Sequence, residues 1–311
     1  MSRKFFSIDP NLQSALETVL EATQAAFPQL APNQIAMTWI PYEPPYRVNT
    51  GGAITSEEFW KYQPSGASYR GVELIEPASI ISLFYLVAAH DWLEQGMIQT
   101  SLETERAIAD SIVASSNDAL SYIVDILSGT TSGPSIPAGP FETWKFQRNI
   151  INRYFSQLEW PELRAVNMNQ KLWHDGPYGR EQDFLGKTLE HRNLLTTEAT
   201  ARLLHSIVGG VSVSARRSQQ MMALLAHSKE LANGRSPTRF IGTGIASPAE
   251  VWSQASATSR VRHDAAYIES TSTHPYLLVV FTEGQDHAEN EEIIPFVSKH
   301  IFEAAQHLLE P

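Results

Sequence analysis

Apolar residues at Leu12, Leu16, Val19, Leu20 and Ala25 recur at helical spacing and stop before Pro28, which predicts an N-terminal helix over 12–27. The partly β-branched run 35–40 predicts a short strand, and the Pro-, Gly- and Tyr-rich stretch 41–69 one or two strands joined by long turns. Pro77 sits where proline is tolerated, in the first turn of a helix running to about Trp92. That helix is apolar on every side, so it belongs in the interior.

Helical spacing returns over 103–127, ending near Gly129, and again over 141–155 and 196–208. The segment 159–192 is rich in Asn, Gly and Pro and reads as a long loop, and loops of that length in compact domains more often carry function than not. In the last third, 251–258, 265–269 and 276–283 are strand-like and separated by short polar turns, the pattern of an antiparallel meander. A helix over 291–309, with Ile294, Val297, Ile301 and Leu308 on one face, closes the chain. Helix and strand at both ends with helices between them predict an α+β architecture, an antiparallel sheet flanked by helices plus an all-helical lobe. The sheet lobe would take residues 1–74 and 210–311 and the helical lobe 75–209, with a cleft where they meet.

Composition narrows the chemistry. Of 311 residues, 23 are Lys or Arg and 34 are Asp or Glu, a formal charge of -11 that repels phosphate backbones and anionic bilayers. Neither a nucleic-acid nor a membrane partner is expected; the oligomeric state is left open. The absence of cysteine excludes disulfides, thiolate zinc sites and a cysteine nucleophile. No pair among the ten histidines has the i, i+4 spacing of a zinc-binding helix, so neither a metal nor another cofactor is expected. The basic start at Arg3 and Lys4 is not followed by a sustained apolar region, so it is no secretory signal, and no apolar run approaches the ~20 residues of a membrane helix. The expectation is a soluble chain, cytoplasmic unless a leader has been removed.

Four short stretches carry candidate chemistry. In Pro77-Ala78-Ser79-Ile80-Ile81-Ser82, a serine stands in the first turn of the buried helix. Ser115-Ser116-Asn117 follows the stretch 108–113, Gln254-Ala255-Ser256-Ala257 lies in a predicted strand, and Arg192-Asn193-Leu194-Leu195-Thr196-Thr197 precedes a helix. Taken singly, each has an ordinary reading: Ser79 as a cap or packing residue, Ser115 and Ser116 as a helix start. Gly242-Thr243-Gly244 reads as a loop before the strand.

Taken in order, these stretches resemble the class A serine β-lactamases and the penicillin-recognising enzymes around them. That family uses Ser-x-x-Lys, Ser-Asp-Asn and Lys-Thr-Gly, with a glutamate on the omega loop, and works by acyl transfer through the serine. The resemblance makes Ser79 the nucleophile, with Ser82 where the lysine would be. Ser115 and Asn117 keep the outer positions of the second motif, and Gln254-Ala255-Ser256 stands for the third. Arg180-Glu181-Gln182-Asp183-Phe184-Leu185-Gly186 loosely matches the omega loop, putting Gln182 at the glutamate position with Glu181 the nearest carboxylate. The interval from Ser79 to Ser115 is shorter than in the family, so part of the helical lobe is expected to be missing.

The substitutions bear directly on activity. Position 82 shares a helix face with position 79, and a lysine there, its pKa depressed by burial, could accept the hydroxyl proton. Ser82 cannot. Gln254 supplies no charge to hold a substrate carboxylate, though Arg260 or Arg262 could restore a cation. An oxyanion hole from the Ser79 and Ala257 backbone amides is expected to survive, since it does not depend on side-chain identity. Two readings follow: a serine hydrolase acting on a β-lactam or peptidoglycan-like amide through acyl-Ser79, or a pseudoenzyme that binds a ligand in the cleft without turnover.

Overall fold

In a computed structural model, the chain is described for residues 3–44, 46–227, 240–245 and 248–309. Its strands are β1 (Ser7–Ile8), β2 (Ile35–Pro41), β3 (Ser65–Tyr69), β4 (Ala226–His227), β5 (Ala249–Ala257), β6 (Val261–Ser270) and β7 (Tyr276–Glu283). Among the described residues they form one sheet in the order β1-β3-β2-β7-β6-β5-β4. Pairing is antiparallel throughout except for the two-residue contact of β1 with β3. The predicted meander is β5-β6-β7.

β7 lies near the middle of the sheet and is buried on both faces. Tyr276, Leu278 and Val280 point into one core and Leu277, Val279 and Phe281 into the other, so two alternating apolar sets merge into one continuous run. The first core is closed by α1 (Pro10–Ala26) and by α13 (Ile293–His307), through Leu16, Val19, Val297 and Ile301. Asp9 caps α1, its carboxylate accepting from the Asn11 and Leu12 amides. α1 thus begins two residues before the first apolar position of its stripe.

The second core joins the other sheet face to the remaining helices. Between β2 and β3 lies a short turn of helix, α2 (Ser56–Phe59). After β3, a 3-10 turn (Ala78–Ile81) leads into α3 (Ser82–Glu94), whose residues from Ser82 to His90 are all buried. α3 does run through the interior, as its all-round apolar sequence requires. The stretch predicted as helical over 103–127 is two helices, α4 (Leu102–Val113) and α5 (Asn117–Ser128). Ser115 adopts a positive φ of 49° between them and Ser116 caps α5 by accepting from the Ala119 amide. Similarly, α6 (Ala138–Arg148) and α7 (Ile150–Ser156) replace one predicted helix. The long loop holds a further short helix, α8 (Arg180–Leu185), then α9 (Thr197–Val208) packs on the sheet and α10 (Ala215–Leu225) follows. Thr196 caps α9, its hydroxyl accepting from the Ala199 amide. α11 (Phe240–Thr243) and α12 (Gln285–Glu289) are single turns, the first in the segment read as a loop.

Candidate active site

The long loop is positioned by polar groups at its two ends. Asn193 Oδ1 accepts from the Asn169 and Gln170 amides at 3.0 and 2.9 Å, and its amide donates to the Gln170 carbonyl at 3.0 Å. Tyr85 of α3 donates to that same carbonyl at 2.8 Å. The loop's two ends are therefore tied to each other and to the central helix.

Farther along, Glu181 is fully buried and meets Arg148 in a two-pronged ion pair, with contacts of 2.7 and 2.9 Å. Ser132 donates to the same carboxylate at 2.8 Å. Lys171 donates to Asp125 at 2.7 Å and to Ser132 at 2.8 Å, so two cations and two carboxylates balance within one buried cluster. Burial pushes the Asp125 carboxyl up, and Lys171 beside it opposes that shift. Gly179, at a φ of 51°, makes the loop's close approach possible, because a Cβ there would lie 2.2 Å from the Gly133 carbonyl oxygen.

A cleft of about 1190 Å³ opens between the start of α3, the end of β5, the α4–α5 junction and the long loop. Ser79, Ser115, Asn117, Ser256 and Ala257 all line it, from three separate stretches of the sequence. Gln254 is completely buried beneath it, with its Nε2 3.4 Å from Ser115 Oγ. Apolar walls come from Val113, Leu172, Trp173, Pro177, Leu224 and Phe240.

Glu181 and Gln182 do not line the cleft. The omega-loop register read from the sequence therefore needs correction: the Glu181 carboxylate is committed to Arg148 and serves as an anchor for the loop. The loop instead presents Lys171, Leu172, Trp173, Gly176 and Pro177 to the cleft.

Ser82 also departs from its anticipated geometry. Its hydroxyl donates to the Ser79 backbone carbonyl at 2.7 Å, the short i, i−3 contact open to a serine at a helix start, and so does not engage the Ser79 side chain. The Ser79 amide is engaged as well. Ser256 Oγ accepts from it at 2.8 Å, so a side chain occupies one of the two amides expected to form an open oxyanion hole. Ala78, immediately before, carries a φ of 45°, a strained value for a residue with a Cβ.

Charged groups around the cleft are paired. Arg192 meets Glu76, and Arg262 donates to the Ala288 carbonyl at 2.9 Å and lies 3.3 Å from Glu291 while stacking on Phe240. Of Arg260 and Arg262, it is Arg262 that lines the cleft, together with Lys171 and Arg192. His263, on β6, is fully buried; burial pulls its pKa down to about 4. The sequence reading gave no role to Lys171 or Glu76, both brought to the cleft by loop segments, which leaves no local spacing to read.

A family model for the β-lactamase enzyme family matches residues 143–305, just over half of the chain. No curated protein matches it. Among solved structures, a β-lactamase from Sphaerobacter thermophilus is similar with a TM-score of 0.64 at 15% identity, covering 96% of this chain and 99% of that one. A mutant of PBP-A, solved as an acyl-enzyme complex with penicillin G, gives 0.62 at 13% identity over 98% of both chains. A β-lactamase from Xanthomonas campestris gives 0.61 at 11% identity, over 94% of this chain and 98% of that one. At these identities the structural likeness is one of fold.

Proposed function

The chain belongs to the β-lactamase enzyme family, and from that premise we propose that it is a non-hydrolysing member, one that binds a ligand in the cleft without turning it over. The carrying observation is the contact between Ser82 Oγ and the Ser79 carbonyl. The position that must take the nucleophile's proton holds a hydroxyl, and that hydroxyl's own proton is spent on the backbone. A serine is not basic near neutral pH, so Ser79 stays a protonated alcohol, without the ~10²–10⁴-fold that general-base assistance provides. Lys171, the nearby buried amine, is held by Asp125 and Ser132. Glu181, the carboxylate nearest the omega-loop position in the sequence, is held by Arg148.

The ligand class that fits is a β-lactam or a peptidoglycan-like amide, as the penicillin complex of the PBP-A mutant suggests for this fold. The competing reading is a serine hydrolase working through acyl-Ser79. It is favoured by the placement of Ser79 on the cleft wall, in the 3-10 turn that leads into the buried α3. Incubation with a chromogenic cephalosporin, followed by intact-mass measurement, separates the two. The non-hydrolysing reading requires no turnover above a Ser79→Ala control. Turnover that Ser79→Ala abolishes would establish the hydrolase.

A further inference from the structure

Ser256 and His263 face each other across β5 and β6, and both reach the same short turn. Ser256 Oγ accepts from the Ser79 amide at 2.8 Å. His263 Nδ1 accepts from the Thr282 amide at 3.2 Å, which leaves the proton on Nε2, and Nε2 donates to the Glu76 carbonyl at 2.8 Å. Between these two anchor points lie Pro77 and the strained Ala78. One cross-strand pair therefore grips the turn at both ends and holds a protein hydroxyl where a ligand oxygen beside Ser79 would find its donor.

We propose that Ser256 fills the oxygen-binding position of the cleft from within. A ligand carbonyl reaches the Ser79 amide only by displacing Ser256 Oγ. Both are neutral acceptors, so the exchange replaces one hydrogen bond with another of similar strength and adds little affinity. The third motif of the resembling family has glycine at this position, which carries no such hydroxyl. The inference rests on the reading that this cleft is the ligand site, and its test is arranged to fail separately from that reading.

Three variants decide it: Ser256→Gly, Ser256→Ala and Ser256→Thr, each compared with the unaltered protein. Amide hydrogen exchange at Ser79, followed by NMR, is expected to accelerate about tenfold or more in the Gly and Ala variants. In Ser256→Thr, which keeps a hydroxyl, protection is expected to persist. Benzylpenicillin affinity, measured by calorimetry, is expected to rise about fivefold in the Gly and Ala variants, the worth of one recovered neutral hydrogen bond. If glycine loosens β5, the alanine variant carries the test. Unchanged Ser79 exchange, or unchanged benzylpenicillin affinity, in the folded variants overturns the proposal. Hydrolysis of benzylpenicillin by the unaltered protein would instead overturn the non-hydrolysing reading, and the exchange comparison would still stand.

Discussion

Ser79 lies in the 3-10 turn and Ser82 is the first residue of α3, three positions further on. The Ser82 hydroxyl turns back to the Ser79 carbonyl. Restoring a basic amine there, and a cation at Gln254, should raise covalent labelling by a β-lactam. The double variant Ser82→Lys with Gln254→Lys is expected to acylate at least ~10-fold faster than the unaltered protein, read as adduct mass against time. An unchanged rate would mean that these two positions do not do what their place in the motifs implies. The motif serines were legible because a helix start and a strand each fix a local geometry that a few consecutive residues can signal. What their hydroxyls bond to was not legible, since a rotation about one χ angle moves Ser82 from a side-chain partner to a backbone one.

Among the elements, the long loop depends most on a few contacts. Its ends meet at Asn193, and its interior is pinned where Glu181 meets Arg148 with both side chains fully buried. Removing Arg148 leaves the buried Glu181 charge with only the Ser132 hydroxyl and the more distant Lys171 to meet it, at a cost of about 3 kcal/mol, the low end for breaking a buried pair. Arg148→Ala should therefore lower the unfolding free energy read from urea titration by about that amount, whereas Arg148→Met combined with Glu181→Leu should recover most of the loss. If the double variant is no more stable than Arg148→Ala, the ion pair is not what anchors the loop. The buried helix and the meander could be read from sequence because burial on all sides, or on two faces, leaves a continuous apolar signature. Apolar spacing that continues across the α4–α5 break ran the two helices together, although Ser115 and Ser116 read as a helix start; the left-handed Ser115 and the Ser116 cap make the turn. The loop register was misread for a related reason: a glutamate looks the same in sequence whether it faces a cleft or an arginine.

At the scale of the whole molecule, three buried histidines make stability depend on pH. Burial holds His90 and His263 near pKa 4 and His205 near 3, with Arg217 reinforcing the shift at His90 and Arg202 at His205. His205 lies between the Tyr42 and Tyr46 hydroxyls, at 2.8 and 3.3 Å, and is neutral in the folded state. Unfolded histidines protonate near pH 6.5, so between that value and about 4 the unfolded chain binds protons that the folded chain refuses. Their stabilising contribution is complete above pH 6.5 and declines as pH falls through this window, by an order of about 3 kcal/mol for His263 alone. Chemical denaturation at pH 7 and pH 4.5 should show this loss, and His263→Gln should flatten part of the slope. An identical slope in that variant would show that His263 does not contribute.

The clasp at Asn193 has a consequence for how such a protein could change over generations. Because the two ends of the loop are fastened side by side, lengthening its tip adds only the slowly growing cost of closing a longer ring, about 0.6 kcal/mol per doubling. His174 and Asp175 stand at that tip with side chains 92% and 79% exposed, while their neighbours Trp173 and Gly176 line the cleft. The rim of the cleft can thus be rewritten like a replaceable cassette while both cores keep their packing. A four-residue Gly/Ser insertion between His174 and Asp175 should leave the melting temperature within a few degrees of the unaltered protein while changing ligand affinity. New ligand preferences could therefore arise at this edge without the fold having to be found again.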